Sequence, residues 1–388
     1  MKPKILILYY KNFFPINSGD KNVISNHIDI LSESYKVDLL HFPARNTANE
    51  NQPQKNINKI ISFKSKTSKK LLNLMKHYSP KYPIQTAMYY NQKTFNWIKA
   101  HKDDYYAFYP HFFRSAELVR KLHKNKVLHM HDAISLNYRT ALNHKIPLIK
   151  KFLYKMEINK LIEYEKKCIA DFNRTLLVSD FDRNYLIENN ADKNKLTKIP
   201  ISVSKKLLDY KKTDNSDSIT FLGKMDYLAN VDAMKYFVNK IFPFISQNIN
   251  LKILGSSPAK DIQKLENERI SVSGYIEDPY TIIKNSKIFV APMRMGSGTQ
   301  LKVLEAMALG KCVIASGIVK HGIDATNGKE IVYAENSEDF IDKINYYLKN
   351  DDKRKQIGKN ARAFIKKNHT NQVIKDLLLD LFSNLKNN

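Results

Sequence analysis

The stretch that ends at Glu305 combines, within a few residues, side chains that can bind an anion and side chains that can bind hydroxyl groups. Before it, the apolar run Ile288–Ala291 predicts a buried parallel strand, and the residues after the loop predict a helix to about Leu309. A glycine-containing loop that leads into a helix N-terminus presents backbone N–H groups and the positive end of the helix dipole, which favour phosphate. We expect Ser297 or Thr299 to cap this helix. The candidate anion-binding residues are Gly298, Thr299, Gln300 and Lys302.

Glu305 lies on this helix among side chains that are apolar almost all round. Such a helix is expected to be buried, and a buried carboxylate needs a partner because an isolated charge is costly away from water. Two interpretations follow. Either Glu305 forms a structural salt bridge or a hydrogen bond to backbone, or it accepts hydrogen bonds from a sugar diol while the helix N-terminus holds phosphate.

A second polar group, His129, His131 and Asp132, lies at the end of the predicted strand Lys126–Met130, and alternation places both histidines on one face. It could begin a zinc or iron site, although we find no later His/Asp cluster to complete the set. It could be a hydrogen-bonded structural cluster. We favour a third interpretation, in which His131 or Asp132 is the polar group at a strand end that faces a cleft between domains.

The sequence Ser179-Asp180-Phe181-Asp182 has the spacing of a DxD metal motif. It follows a predicted strand and begins a helical stretch, so Ser179 as the N-cap with Asp182 three residues later is the simpler interpretation. We therefore expect a helix cap here and not a metal site.

The first part of the chain has the β-loop-α-β order of a Rossmann-like domain. Lys4–Tyr9 predicts a strand, a helix runs from about Asp20 to Ser32, and Lys36–His41 predicts the next strand. Gly19 lies near the helix N-terminus, but the GxGxxG dinucleotide fingerprint is absent. Alternating strands and helices continue along the chain and predict α/β architecture with parallel sheets.

The run Gly-x-Gly-Thr-Gln-Leu-Lys-Val-Leu-Glu-Ala-Met-Ala-x-Gly-Lys, residues 296–311, resembles the nucleotide-sugar signature of retaining glycosyltransferases of family 4, which share the GT-B fold. In that family the glutamate of the Leu-Glu-Ala-Met-Ala run binds the donor ribose, which implies this role for Glu305. Eight positions earlier, where the family has a second glutamate, this chain has Ser297, so the contact to the donor sugar is left open. One subgroup of exopolysaccharide sugar transferases also lacks that glutamate and keeps the pattern of Gln300–Lys302.

Other segments resemble the family in the expected order. Thr220–Ala233 resembles the start of its second domain, which implies a diphosphate-binding role for Lys224, against the alternative of an ordinary solvated lysine. The second basic residue of the family would fall near Ala229 or Asn230, so its contact is either missing or supplied by Lys302. The loop Asn17–Lys21, which contains Gly19, faces the donor phosphates and the acceptor in the family, and the alternative is an ordinary turn with Asp20 as the N-cap. The family places an acceptor-side histidine near His131 and Asp132.

The resemblance implies two Rossmann-like domains with parallel sheets facing a cleft, and a last helix that crosses back to the first domain. We expect the acceptor-binding domain at residues 1–203, a linker at 204–218, the nucleotide-sugar-binding domain at 219–366 and the crossing helix at 367–388. The linker is assigned from a polar, lysine-rich stretch that follows Pro200.

Composition limits the class of protein further. The 388 residues carry a net charge of +26 and two cysteines, which predict neither a disulfide framework nor a zinc site. No signal peptide or membrane span is expected. The most basic segment, Lys64–Lys81, with aromatic residues after it, suits an anionic membrane face, while a solvated surface helix is the commoner explanation. Nucleic acid is not expected because no binding module is recognisable.

These observations predict a cytoplasmic enzyme, with peripheral contact to the inner membrane face as a further hypothesis. It would transfer a sugar from a nucleotide-diphosphate-sugar to a glycan or lipid-linked glycan in cell-surface polysaccharide biosynthesis, with retention implied by the family. No cofactor or metal is expected, since the nucleotide-sugar is a substrate. The alternatives are a nucleotide-sugar epimerase of GT-B shape and a non-catalytic nucleotide-sugar-binding pseudoenzyme.

Overall fold

The chain divides into two compact units in the computed structural model, which describes residues 2–16, 18–43, 56–64, 73–142, 147–211, 214, 216–295 and 298–385. The first unit comprises Met1–Pro200 together with Ile374–Asn388, and the second comprises Ile201–Val373. The division thus falls after residues 200 and 373, where the sequence predicted 203 and 366. The basic segment keeps only its two ends among the described residues, because 65–72 lie outside them.

The first unit is built on a seven-stranded sheet of order β3-β2-β1-β4-β5-β6-β7, in which all neighbouring strands are parallel. The order reverses between β1 and β4, so the loops after these two strands diverge from adjacent carboxyl ends. The strands are β1 Lys4–Tyr9, β2 Lys36–His41, β3 Lys59–Ser62, β4 Ala107–His111, β5 Asn125–His131, β6 Arg174–Leu177 and β7 Leu196–Lys198.

The helices of this unit cover both faces of the sheet with apolar side chains, as a parallel sheet requires. The last helix belongs to this unit, because Ile374, Leu378 and Phe382 are buried in the same core cluster as the side chains of β1. The return of the C-terminal helix to the first domain is thereby confirmed. The helices are Gly19–Ser32, Ile84–Tyr89, Gln92–Ala100, Phe113–Ala116, Ile134–Leu142, Leu148–Asp171, Asp180–Glu188 and Asn371–Ser383.

The second unit has a six-stranded parallel sheet of order β10-β9-β8-β11-β12-β13, which reverses between β8 and β11. Two parallel-sheet α/β domains are therefore present, as the sequence predicted. The strands are β8 Ser218–Leu222, β9 Asn250–Leu254, β10 Ile270–Val272, β11 Ile288–Ala291, β12 Cys312–Ser316 and β13 Val332–Ala334.

The helices of the second unit include one inside the stretch that was predicted to be a linker. Lys205–Asp209 forms a short helix because Leu207 and Leu208 bury their side chains, and the Leu208 carbonyl accepts a hydrogen bond from Arg362. None of the described helices is long and apolar enough to cross a membrane. The helices are Lys205–Asp209, Leu228–Lys240, Lys260–Gln263, Pro279–Asn285, Leu301–Ala308, Ser337–Lys349 and Asp351–Asn368.

Candidate active site

The predicted anion site lies where the order of the second sheet reverses. In open parallel sheets, ligands bind outside the carboxyl ends of the strands at such a reversal, because the loops diverge there and leave a crevice. The loop after β8 carries Lys224, and the loop after β11 leads through Gly298 into the helix Leu301–Ala308. The fold therefore brings to adjacent strand ends two segments that lie more than seventy residues apart in the sequence.

The backbone is closely packed around the loop after β8. A Cβ atom on Gly255, which has a φ of +148°, would lie 1.7 Å from the Gly223 carbonyl oxygen. A Cβ atom on Gly223 would lie 2.6 Å from Nδ2 of Asn230, and that amide donates a hydrogen bond of 2.9 Å to the Lys224 carbonyl. Asn230 thus holds the loop in place, and glycine is required at both close approaches.

The helix Leu301–Ala308 begins without a side-chain cap in the described part of the chain. Gln300 occupies the N-cap position with extended backbone angles, and its side chain makes no capping hydrogen bond. The Thr299 hydroxyl donates instead to the Gly322 carbonyl at 3.0 Å, so the prediction that Thr299 caps the helix is wrong. Ser297, the other predicted cap, lies outside the described residues. An uncapped N-terminus leaves its first N–H groups available to an anion.

The loop before this helix is held by a second close backbone approach. A Cβ atom on Gly322 would lie 2.6 Å from the Gly298 carbonyl oxygen and from the Thr299 Cα. Gly298 has a φ of +74°, in the left-handed region that favours glycine. Both glycines are needed for the path by which the chain enters the helix.

Lys302, a half-buried residue, places an ammonium group beside this helix start. Its Nζ atom donates a hydrogen bond of 2.6 Å to Oδ1 of Asn230 and lies 4.2 Å from the centre of the Phe221 ring. Burial lowers the pKa of Lys302 to about 7, and the nearby Glu305 carboxylate opposes this shift. Among the described residues, the ammonium hydrogen-bonds only to neutral groups, so an anionic ligand would supply the charge partner that it lacks.

Glu305 accepts a hydrogen bond of 2.9 Å at Oε1 from the Tyr280 hydroxyl. Burial raises the pKa of Glu305 to about 7, whereas the Tyr280 hydroxyl and Lys302 act in the opposite direction. The sequence analysis offered a structural salt bridge or a backbone hydrogen bond for Glu305. Among the described residues its hydrogen-bond partner is instead the Tyr280 side chain. The second carboxylate oxygen, Oε2, has no hydrogen bond from a described residue and can accept one from a ligand.

Lys224 lies at the predicted strand end, but its side chain is 64% exposed and forms an ion pair of 3.1 Å with Asp226. Exposed ion pairs of this kind add little stability, so a ligand can compete for the lysine. The position where the family would have its second basic residue is occupied by Asn230, whose side chain receives the Lys302 ammonium. This contact is in keeping with the expectation that Lys302 supplies the missing positive charge.

Sequence reasoning did not select Tyr280 or Arg294. The Arg294 guanidinium, on the loop after β11, donates to Asp232 at 3.0 Å and lies 4.8 Å from the centre of the Tyr236 ring. The position of Arg294 shortly after a buried parallel strand could have indicated that it lies at the carboxyl edge of the sheet. Tyr280 offered no signal of its own, because its contact with Glu305 joins two helices.

We predict that Lys302 and Glu305 lower the stability of the ligand-free protein most near pH 7. The comparison is with a variant that lacks both ionisable side chains. Folding raises the pKa of Glu305 from 4.5 to about 7, so the native state holds the extra proton and stability falls between these values as pH rises. Folding lowers the pKa of Lys302 from 10.5 to about 7, so the unfolded state holds the extra proton above pH 7 and stability recovers.

The measurement is the melting temperature of wild type and of Lys302→Met/Glu305→Gln from pH 5 to pH 10 without ligand. The difference between the two proteins should be largest near pH 7 and should shrink on either side. A difference that does not vary with pH would contradict the assignment of buried titrating groups to this pair.

In the first unit, the structure places His131 at the end of β5 with a φ of +75° and its ring stacked on Phe112. Its Nδ1 atom lies 3.3 Å from Oδ1 of Asp132. Burial alone would lower the pKa of His131, but the Asp132 carboxylate outweighs it and the net shift is upward. The two predicted residues therefore form an imidazole–carboxylate pair at the carboxyl edge of the sheet.

Gly19 is the first residue of its helix, and Ser18, not Asp20, occupies the N-cap position. The Asp20 carboxylate accepts hydrogen bonds from the Tyr9 hydroxyl at 2.7 Å and from Ser18, and it pairs with Lys11 at 3.1 Å. The expectation of Asp20 as the N-cap is wrong because these side chains hold its carboxylate. A Cβ atom on Gly19 would meet nothing within 4 Å, so the space above it is open.

Three buried histidines from separate elements meet beneath His131. Ligand nitrogen atoms of His27, His111 and His129 lie within 4.8 Å of one another. Burial lowers the pKa of each, that of His27 to about 3, so the rings are neutral. The sequence analysis found no later cluster that would complete a metal site with His129. The structure brings it together with His27 and His111, which lie earlier in the chain. The cluster also contains a hydrogen bond of 3.1 Å between the last two rings. It can serve as a hydrogen-bonded core or as ligands.

The Ser179 prediction is confirmed. The Ser179 hydroxyl accepts a hydrogen bond of 3.1 Å from the Asp182 N–H and caps the helix Asp180–Glu188. Asp182 Oδ1 accepts from the Ala133 N–H at 2.9 Å, which ties this helix to the segment after β5. The motif is therefore used in the fold.

An open parallel sheet whose strand order reverses and whose faces are covered by helices is a Rossmann-like domain, and two such domains in one chain are the architecture of the GT-B class. Residues 216–350 match the family model described as "Glycosyl transferases group 1". The second domain is thus similar to group 1 glycosyl transferases over these residues, and the family resemblance found in the sequence is confirmed.

Two curated proteins are similar to this chain. An uncharacterized 44.6 kDa protein in the cps region of Klebsiella pneumoniae is 27% identical over 270 residues, which cover 65% of this chain and 66% of that protein. An uncharacterized glycosyltransferase of Methanocaldococcus jannaschii is 27% identical over 270 residues, 63% of this chain and 64% of the relative. The chain thus spans slightly less than two thirds of the length of either relative.

The fold matches solved structures over nearly its whole length. Anabaena HepE, crystallised in complex with UDP, superposes with a TM-score of 0.70 at 14% identity, covering 98% of this chain and 100% of that one. At this level of identity the likeness shows the shared fold.

Proposed function

We propose that the chain is a glycosyltransferase that moves a sugar from a nucleotide-diphosphate-sugar donor to a glycan or lipid-linked glycan acceptor. The observation that carries the proposal is the helix Leu301–Ala308 at the reversal of the second sheet. It presents an N-terminus that no described side chain caps, a half-buried lysine ammonium and a carboxylate. The helix N-terminus and the Lys302 ammonium can bind a diphosphate, and the Glu305 carboxylate can accept hydrogen bonds from a ribose diol. The group 1 family match over residues 216–350 supports the same chemistry.

The chemical task is to stabilise the nucleotide diphosphate as it leaves the sugar. Lys302 and the N–H groups at the start of its helix are fixed before the reaction, so they can stabilise the developing charge without reorganisation. Lys224 is proposed to reach the same phosphates from the loop after β8. Because these groups supply the positive charge, we expect no metal cofactor for the transfer.

For the acceptor side we propose His131 and Asp132. The Asp132 carboxylate fixes the orientation of the imidazole. Its other nitrogen, Nε2, is buried without a partner among the described residues, so an acceptor hydroxyl that reached it would supply the hydrogen bond that it lacks. Gly19 leaves open space at the first helix of the same sheet. Retention of the anomeric configuration follows from the family resemblance and belongs to the proposal.

The proposed setting is cell-surface polysaccharide biosynthesis at the cytoplasmic side of the membrane. Support comes from the relative in the cps region of Klebsiella pneumoniae. HepE was crystallised with UDP, so uridine donors are the first to test on this chain.

The test is a donor screen followed by product analysis. We expect one nucleoside diphosphate series to raise the melting temperature, and its sugar donor to be consumed only when a glycan or lipid-linked acceptor is present. Conversion of the donor alone into a stereoisomer would identify an epimerase. Binding without turnover across an acceptor panel would identify a pseudoenzyme, and no thermal shift with any donor would contradict the donor site.

A further inference from the structure

The helix Leu148–Asp171 exposes a large apolar surface over its first residues. The five side chains concerned are between 41% and 83% exposed, whereas the rest of the same helix buries Ile158, Leu161 and Ile169 in the first domain. We call these five residues the apolar stripe. They are Leu148, Ile149, Phe152, Leu153 and Met156.

Helical geometry places the apolar stripe on one side. At 3.6 residues per turn its five side chains cover an arc of about 140°. Tyr154 lies on the opposite side and stacks on Tyr138 with ring centres 3.9 Å apart, and Glu157 accepts a hydrogen bond of 2.7 Å from the Ile84 N–H. The domain therefore holds the helix from behind, and the stripe faces away from the contacts that fix it.

Lysines flank the apolar stripe on both sides. Lys150 follows one margin of the arc, and Lys151 and Lys155 follow the other, all three exposed. Between Leu148 and Met156 there is no acidic residue, and the chain as a whole carries a net charge of +26. An apolar face bordered by cations is the pattern of a helix that lies at the surface of an anionic bilayer.

A neighbouring segment extends the same surface. Met75 and Tyr78 are exposed, and the Lys160 ammonium lies 5.9 Å from the centre of the Tyr78 ring. Lys76 and Lys81 are also exposed in this segment. The basic segment singled out in the sequence thus contributes through its described end, next to a helix that the sequence analysis did not select.

The position of the apolar stripe follows from the length of its helix. A helix of 24 residues is about 36 Å long, more than β5 or β6 can cover, so one end must extend past the sheet. Asp171 leads to the amino end of β6, and the helix therefore extends past the carboxyl edge. His131 and Asp132 end β5 at that same edge.

We propose that the apolar stripe and its flanking lysines dock the protein on an anionic phospholipid bilayer. The docking stands on the exposed surface alone. Its consequence, that a lipid-linked acceptor would reach His131 from the bilayer, rests on the proposed function. A second copy of the chain is the competing occupant, and charge decides against it, because two lysine-bordered stripes would repel each other.

The experiment is co-sedimentation of the full chain with phosphatidylcholine vesicles that contain or lack phosphatidylglycerol. We expect binding only with the anionic lipid, weakened by salt. Lys150→Ser/Lys151→Ser/Lys155→Ser should weaken it by about fivefold per lysine. Phe152→Ser should weaken it by about tenfold, whereas Phe244→Ser should not, although both phenylalanines are 65% exposed.

Several results would overturn the docking surface. These are no binding of wild type to anionic vesicles, equal effects of Phe152→Ser and Phe244→Ser, or a lipid-free dimer that Phe152→Ser dissociates. Nucleoside diphosphate binding is measured on the same samples and should be unchanged in every variant. It keeps failure of docking separate from failure of the donor site. Because the apolar stripe belongs to the first unit and the donor site to the second, the far-UV circular dichroism spectrum and the melting temperature of each variant, which should match those of wild type, report that the first unit is folded.

Discussion

Lys302→Met is expected to lower kcat/KM for the sugar donor by about 10²–10³-fold, the usual cost of losing one fixed group that stabilises developing charge. The ammonium packs against the Phe221 ring and bonds to Asn230, which fixes it beside the helix start, whereas the exposed Lys224 is paired with Asp226. The Lys302 pKa of about 7 also means that the free protein loses this charge as pH rises above neutrality. The ratio of pyrophosphate affinities, wild type over variant, should therefore fall with rising pH, and the ionisation of pyrophosphate itself cancels in this ratio.

The same substitution separates a ligand-binding role from a structural one. Replacing a half-buried cation by an apolar side chain of similar length removes a desolvation cost, so the ligand-free variant should melt at the same temperature as wild type or higher. A purely structural lysine would behave in the opposite way, with a lower melting temperature and an unchanged shift on adding nucleoside diphosphate. Lys349→Met, on an exposed helix end, is the matched control and should change neither property.

Glu305→Ala is expected to weaken nucleoside diphosphate binding by about 10- to 100-fold, because hydrogen bonds to a charged acceptor are worth more than neutral ones. The sharper measurement compares ribose with 2′-deoxy and 3′-deoxy nucleotides in wild type and variant. If Glu305 binds the diol, removing a ribose hydroxyl should lower the affinity for wild type and change it little for Glu305→Ala. The two changes then form a thermodynamic cycle with a non-zero coupling energy.

Two further variants make this result interpretable. Glu305→Gln keeps an acceptor for the Tyr280 hydroxyl and reports how much of the loss comes from that internal contact. Glu338→Ala removes an exposed glutamate from the first turn of another helix and should leave binding unchanged. Equal deoxygenation costs in wild type and Glu305→Ala would return Glu305 to a structural role beside Tyr280.

The local elements of the site were accessible from the sequence because each depends on nearby residues. The apolar run before the loop, the glycine in it and the apolar helix after it predict a strand–loop–helix unit, and Ser179 with Asp182 predicts a cap. The spacing of apolar residues along the sequence distinguishes a helix from a strand, and the residue types at the ends locate the loop and the cap. For that reason Lys302 and Glu305 could be placed on one helix before the fold was known.

The contacts that define the chemistry were not accessible, because they join residues far apart in the chain. Lys302 meets Asn230 across 72 positions, and the Tyr280 hydroxyl reaches Glu305 across 25. Thr299 has the residue type of a cap, but the Gly322 carbonyl competes for its hydroxyl only after the sheet has formed. The histidine cluster likewise draws one ring each from a helix and two strands.

The interruption of the first domain by the second has a consequence for synthesis on the ribosome. Phe382 packs against Tyr109 with ring centres 5.2 Å apart, and the Tyr109 hydroxyl lies 3.0 Å from His27 Nδ1. The packing around the histidine cluster is therefore incomplete until residue 382 has emerged from the ribosome. The continuous segment Ile201–Val373 has by then been synthesised in full. The domain whose synthesis starts first is thus the last to close, and under the proposed function a nascent chain would bind nucleotide before it could hold an acceptor.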